Sequence, residues 1–327
     1  MNRYFSFAAL IGIFSLFSIT VPVHAEGFYV SGELGINFGE SLDTTGSSND
    51  RASVCDGYIN PMYATVTQTP GYEGYNCTGP NRGATGDWNN SISSDEGILL
   101  GTAIGYRMQD SRFRVELEYF YRDTGYDEDS DVYSASGESG DKLEQELVRT
   151  IDRVGDMTSH NLFANVYMDF ANDSKFTPYV GVGVGFGFTE VEYGSVWARN
   201  DDAARITTGN APDGGQALPN AAEIQANLAS TASFADKELD DTLFGYQIMF
   251  GVDYELNESL LLGVKGRWVD YDSFKDGGIV WDPLRGHPPY LRTPQQAGGG
   301  DREHVSGDMK IDDIEMFAVS MNLKYAF

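Results

Sequence analysis

With 49 acidic against 22 basic residues in 327, the chain carries a formal net charge of −27. That excludes nucleic acid as a partner, which needs a basic footprint. A mean hydropathy of −0.33 excludes a bundle of apolar membrane helices.

Residues 1–25, MNRYFSFAALIGIFSLFSITVPVHA, hold the one long apolar run. Arg3 opens it, Phe5 to Ile19 form its apolar stretch, and Val23-His24-Ala25 is a small-x-small site. It reads as a secretory signal peptide removed after Ala25. Residues 26–327 then read as one domain. Cys55 and Cys77 are the two cysteines, both in one polar segment behind an export signal. A disulfide between them is the expectation, and two unpaired thiols are the alternative.

Eight segments alternate apolar and polar residues with period two. They are Phe28–Phe38, Ile98–Met108, Phe113–Arg122, Asn161–Phe170, Thr177–Phe188, Phe244–Tyr254, Leu260–Val269 and Met316–Phe327. In the fifth, Val180, Val182, Val184, Phe186 and Phe188 share one face. Gly181, Gly183, Gly185 and Gly187 share the other, an unusual density for a strand. The connections 109–112, 171–175 and 255–259 are short and rich in Asp, Asn and Ser, as turns require. Those over roughly 40–96, 123–159, 189–242 and 270–314 are long. Short and long alternate throughout, and each strand is near the ~9–11 residues that cross a bilayer at a tilt. The pattern predicts an all-β fold: an eight-stranded antiparallel transmembrane β-barrel with four long extracellular loops, three short periplasmic turns and both termini periplasmic. A soluble barrel with its apolar face inward is the alternative. It would have to pack about five bulky residues from nearly every strand into a bore too narrow for them.

The signal peptide, GFYVSGELGINFG after it, RVELEYFY, TPYVGVGVG and the final LKYAF together resemble the OmpA/opacity-type outer-membrane β-barrel superfamily of small bacterial surface antigens. The resemblance covers 26–327 through the strands alone. It implies location in the bacterial outer membrane, contact with its lipid, and surface-antigen or adhesin activity toward a host or extracellular ligand. Phe327, with Tyr325 and Leu323 at alternate positions, is similar to the C-terminal signal read by the barrel-assembly machinery.

Several groups of residues are candidates for function. Glu33, Arg107, Arg114, Glu116, Glu118, Arg122, Lys265, Arg267 and Lys324 fall on the polar face. They predict an ion-pair network that fills the lumen, with a narrow porin-like channel as the alternative. Asp127, Asp129, Asp131 and Glu138 have the spacing of a calcium loop. Val132 stands where that loop needs glycine, so a solvated acidic loop is the expectation and no metal or cofactor is assigned. DKLEQELVRTIDRV and NAAEIQANLAS predict short helices in the second and third long loops, with capping pairs Asp141/Glu144 and Asn220/Glu223. Trp281, Arg285, Tyr290 and Arg292 in the fourth long loop are contact-type residues for a surface ligand. His160 beside Ser159 and Asp156 is the best catalytic arrangement available, that of a lipid-modifying barrel enzyme. Neighbours on a strand point to opposite faces, so no enzyme is expected.

Overall fold

The structure, a computed structural model, describes residues 27–48, 86–109, 111–126, 128–129, 133–134, 146–170, 172–206, 217–281 and 305–327. The signal peptide, Cys55, Cys77, Asp127, Asp131, Glu138, Arg285, Tyr290 and Arg292 lie outside them. Among the described residues the strands are β1 (Phe28–Gly39), β2 (Leu42–Ser48), β3 (Gly86–Ile92), β4 (Ser94–Arg107), β5 (Phe113–Tyr126), β6 (Glu128–Asp129) and β7 (Tyr133–Ser134). There follow β8 (Leu147–Asp169), β9 (Phe176–Arg199), β10 (Ala232–Asn257), β11 (Leu260–Tyr271), β12 (Phe274–Trp281), β13 (Val305–Asp312) and β14 (Glu315–Ala326). One α-helix, α1 (Ala221–Leu228), and a 3-10 turn (Ala203–Arg205) connect β9 to β10.

Eight strands close into an antiparallel barrel in the order β5-β4-β1-β14-β11-β10-β9-β8, and β8 returns to β5. Its shear can be read directly from paired residues. Phe28 pairs with Tyr106, Tyr106 with Val115, Val115 with Val166, and Val166 with Val182. Val182 pairs with Ile248, Ile248 with Trp268, Trp268 with Phe317, and Phe317 with Phe38. One circuit therefore returns to β1 ten residues higher, at Phe38 instead of Phe28. With a rise of ~3.3 Å per residue and strands ~4.7 Å apart, that stagger requires a tilt of about 40° and a backbone diameter of about 16 Å. Such a bore is filled by side chains reaching in from opposite walls. Every residue of the circuit is apolar and faces outward. The chemistry that chose lipid on the outside therefore also fixes the register.

The outer apolar belt stops at a common level. On β9 the outward residues Val180 to Phe188 are followed by Glu190 and Glu192. On β10 the belt from Phe250 up to Phe244 is followed by Asp240 and Glu238. Glu40, Glu96, Asp123, Asp270 and Glu315 stand at the same outward parity just past the belt on the other strands. Beyond this level the inward residues become apolar: Leu42, Ile92, Met157, Val191, Leu239, Phe274 and Ile311 are buried together in one core. On β5, β9 and β10 the same parity runs unbroken from belt to crown, and on β9 and β10 the sign of its chemistry is reversed.

This crown corrects the expectation that the four long connections are loops from the belt outward. β8, β9 and β10 run on for 23, 24 and 26 residues in all. β2, β3, β12 and β13 prolong their barrel neighbours into a sheet ordered β12-β13-β2-β3-β7. A second correction concerns DKLEQELVRTIDRV: residues 147–154 are the start of β8, paired with β9, and not helix. Val148, Thr150, Ile151 and Val154 are β-branched, and a ready partner strand outweighs an amphipathic period. The helix expected in NAAEIQANLAS is present as α1, where the Ile224 amide donates to the Asn220 carbonyl at 3.2 Å and Ile224 and Leu228 are buried.

Candidate functional site

Among the described residues, charge is concentrated and dehydrated in the lumen inside the belt. Alternation delivers it: on β5, Arg114, Glu116, Glu118, Phe120 and Arg122 all point inward and are all buried. Near the short-turn end, the Arg114 Nε donates to Asp169 at 3.0 Å, and Lys324 donates to both oxygens of Asp253 at 2.6 and 2.8 Å. The Arg114 guanidinium lies 4.4 and 4.5 Å from the ring centres of Tyr167 and Tyr179, a dehydrated cation–π sandwich. Tyr29 and Tyr167 donate their hydroxyls to Glu116 at 2.8 and 3.1 Å.

Midway up the belt, Lys265 and Arg267 share Glu33 and Glu118. Three of the four contacts are Lys265–Glu118, Arg267–Glu33 and Arg267–Glu118, each at 2.6 Å; the fourth joins Lys265 to Glu33. Asn165 and Gln247 donate to Glu118 as well, at 2.8 and 3.1 Å. Higher still, Arg122 donates to the Ser159 hydroxyl at 2.9 Å, and Tyr271 donates to Asn161 at 2.7 Å. Above them the crown core begins. Buried Glu33, Glu116, Glu118, Asp169 and Asp253 stand against buried Arg114, Arg122, Lys265, Arg267 and Lys324. The charges balance, as burial demands.

The glycines of β9 make this density attainable. A Cβ on Gly181 would lie 2.4 Å from the Tyr167 ring, on Gly183 2.0 Å from Asn165 Oδ1, on Gly185 2.6 Å from the Phe163 ring, and on Gly187 2.6 Å from Asn161 Oδ1. The space above all four is occupied by side chains of β8.

Eight of the nine lumen residues expected from sequence are buried on the inner face. Arg107 differs: it sits at the mouth, its side chain 38% exposed, reaching Asp169 at 3.4 Å. Asp169, Asp253, Asn165 and Gln247 complete the network and were not singled out, although strand parity had already placed them on the polar face. Trp281 is a correction. It is buried at 4% exposure in the crown core, inward like Ile279, so its ring is not presented to a ligand. Asp129 falls in the two-residue β6, while its three partners in the calcium spacing lie outside the described residues. Ser159 and His160 point to opposite faces. Ser159 is buried under Arg122, while His160 is outside, its Nδ1 2.7 Å from the Tyr119 hydroxyl and its ring 5.2 Å from that of Tyr121.

A closed eight-stranded barrel with a lipid-facing belt and a charged, dehydrated lumen defines an outer-membrane β-barrel, similar to the OmpA/opacity-type superfamily. More particularly, residues 73–200, which span β3 to β9, match the family model described as surface antigen. Among curated proteins none matches the sequence. The fold is similar to Neisserial surface protein A, at 11% identity over 94% of this chain and 100% of that one, TM-score 0.35. It is similar to the outer membrane protease OmpT of Escherichia coli, at 10% identity over 94% and 99%, TM-score 0.39. It is also similar to Ail, the attachment invasion locus protein of Yersinia pestis, at 8% identity over 92% and 99%, TM-score 0.31. With such identities and scores these likenesses bear on neither activity nor ligand, and the fold stands on the strand pairing itself.

Proposed function

We propose that the chain is a structural anchor in the bacterial outer membrane that holds a β-built crown clear of the lipid for contact with host or extracellular surfaces. In this reading the crown is extracellular, and the short turns and both chain ends are periplasmic. The signal peptide is removed after Ala25, Phe327 engages the barrel-assembly machinery, and Cys55 and Cys77 are bonded. The observation that carries the reading is the filled space above Gly181, Gly183, Gly185 and Gly187, together with the balanced charges beside it. A channel would need a continuous wet path there. A lumen packed with paired side chains instead braces the wall.

Two measurements test it. Planar-bilayer recording of the refolded full chain is expected to give no steady single-channel conductance, and a steady conductance would replace the anchor with a channel. Bacteria displaying the chain are expected to bind host cells or matrix above a strain lacking it, and equal binding would remove the contact role.

A further inference from the structure

Outside the lumen, the outer face of the crown holds a feature that the anchor does not use. Ile151 on β8 pairs with Val196 on β9, and Val196 with Phe234 on β10. All three stand at outward parity, forming an apolar row across three strands. Phe234 is 54% exposed, more than many belt residues, and Val148, near the row on β8, is 63% exposed. Lys237 reaches the Gly278 carbonyl at 2.9 Å across the seam between β10 and β12, which brings the outward Val280 to the height of this row. Ten residues separate Phe234 from Phe244, the last belt residue of β10. That is about 33 Å along the strand and about 25 Å in height at the barrel's tilt, so lipid does not cover the row.

Between row and belt lie two cross-strand pairs of like charge. Glu192 faces Glu238, and Glu190 faces Asp240, all pointing outward. Like charges directly opposite one another destabilise a sheet. None of the four is in an ion pair among the described residues; Arg153, whose guanidinium lies over Gly194 between strip and row, is 4.0 Å from Asp236. An apolar row, exposed at Phe234 and half-buried at Ile151 and Val196, above a strip in which acids outnumber the one arginine is complementary to one kind of surface: apolar side chains flanked by lysine or arginine. The acids would steer such a partner in, and the apolar row would hold it.

We infer that the outer face of β8, β9 and β10 in the crown is a docking surface for a cationic, amphipathic polypeptide, with Phe234 as its central anchor. This rests on the surface-contact reading above and names where that contact is made and with what chemistry.

The test uses the full chain refolded into discs of zwitterionic lipid, with empty discs subtracted. The probes are labelled ten-residue peptides alternating leucine with lysine, serine with lysine, or leucine with glutamate. The leucine–lysine peptide is expected to bind, and the other two at least about tenfold more weakly. Phe234→Ser is expected to weaken the leucine–lysine peptide about tenfold and to leave the serine–lysine peptide unchanged. Glu192→Gln with Glu238→Gln is expected to weaken it about threefold at low salt and to flatten its salt dependence. Phe234 is exposed, so Phe234→Ser should fold, and an unchanged far-ultraviolet spectrum checks this. Equal binding by Phe234→Ser, or by the leucine–glutamate peptide, overturns the proposal. Cells displaying Phe234→Ser separate the two readings. If they adhere as fully as cells displaying the natural chain, surface contact stands and this docking face falls. If cells displaying the natural chain do not adhere above the strain lacking it, both fall.

Discussion

Glu118 carries the heaviest electrostatic duty in the lumen, so its replacement is the sharpest test of the bracing network. It is buried and accepts from Lys265, Arg267, Asn165 and Gln247. Glu118→Gln keeps the shape and removes the charge. Lys265 and Arg267 would then be left with Glu33 alone between them, two buried cations to one carboxylate. Breaking a buried pair in this way costs about 3–5 kcal/mol, most of it the desolvation of the orphaned cation. The companion variant Lys265→Met takes a cation away and leaves Arg267 between two carboxylates, an imbalance of the opposite sign. The double variant restores a one-to-one match of Arg267 with Glu33. It should therefore be less destabilised than the two single losses added together, by about 1–3 kcal/mol. The assay is reversible urea unfolding of the barrel in lipid vesicles, followed by tryptophan emission. If Glu118→Gln lies within about 0.5 kcal/mol of the natural chain, or if the two losses simply add, the lumen is not a coupled network and the bracing argument fails.

Three further predictions use the same unfolding assay or a local probe. Gly185→Val would press a side chain against the Leu162 carbonyl oxygen, 2.2 Å from the ideal Cβ, and should cost about 3 kcal/mol; Gly32→Ala, whose Cβ meets nothing within 4 Å, should stay within about 0.5 kcal/mol. Equal effects would mean that the lumen side of β9 is not crowded. Val182→Arg, at the middle of the outward belt of β9, should cost about 2–4 kcal/mol in lipid, whereas Glu190→Arg, past its end, should cost no more than about 1 kcal/mol; comparable losses would misplace the belt. Leu239→Ala, fully buried in the crown core, should lose about 2–5 kcal/mol of local stability. Hydrogen exchange should then speed up at 232–243 and not at 245–254. Uniform acceleration along β10 would show that crown and belt unfold as one unit.

The belt was legible in the sequence because its rule is simple: ten residues, apolar at every second position, short turns at one end. Phe28, Phe113, Val180, Phe244 and Leu323 all face where alternation put them. The lumen was legible to the same degree, since parity alone assigns Glu33, Glu118 and Arg267 to one face. Which carboxylate meets which cation was not. Glu118 and Lys265 are 147 residues apart and are joined only by the stagger of the closed barrel. The crown was missed for a different reason. In TEVEYGS the period of two continues past Phe188, with Val191 and Tyr193 buried and Glu190 and Glu192 exposed. A reading that equates outward with apolar ends the strand where the outward residue turns acidic, although the backbone has no reason to stop there.

That reversal shows what sets the membrane's position on this molecule. Strand length does not: β10 is 26 residues long, more than twice what a bilayer needs. The wall continues at the same pairing through Thr242, with Leu243 and Leu239 both inward. The outward set changes from Phe244 and Tyr246 below to Asp240 and Glu238 above, and the inward set changes with it, from Gln247 below to Leu239 and Ala235 above. An inner face that opposed water with apolar side chains along its whole length would leave the belt with no charged brace. One that stayed charged throughout would leave the crown without a core. Because each region fills its interior with the opposite of what surrounds it, strands that run from belt into crown, as β9 and β10 do, suit lipid below and water above. The acids just beyond the belt fix the height at which the strands pass from one to the other.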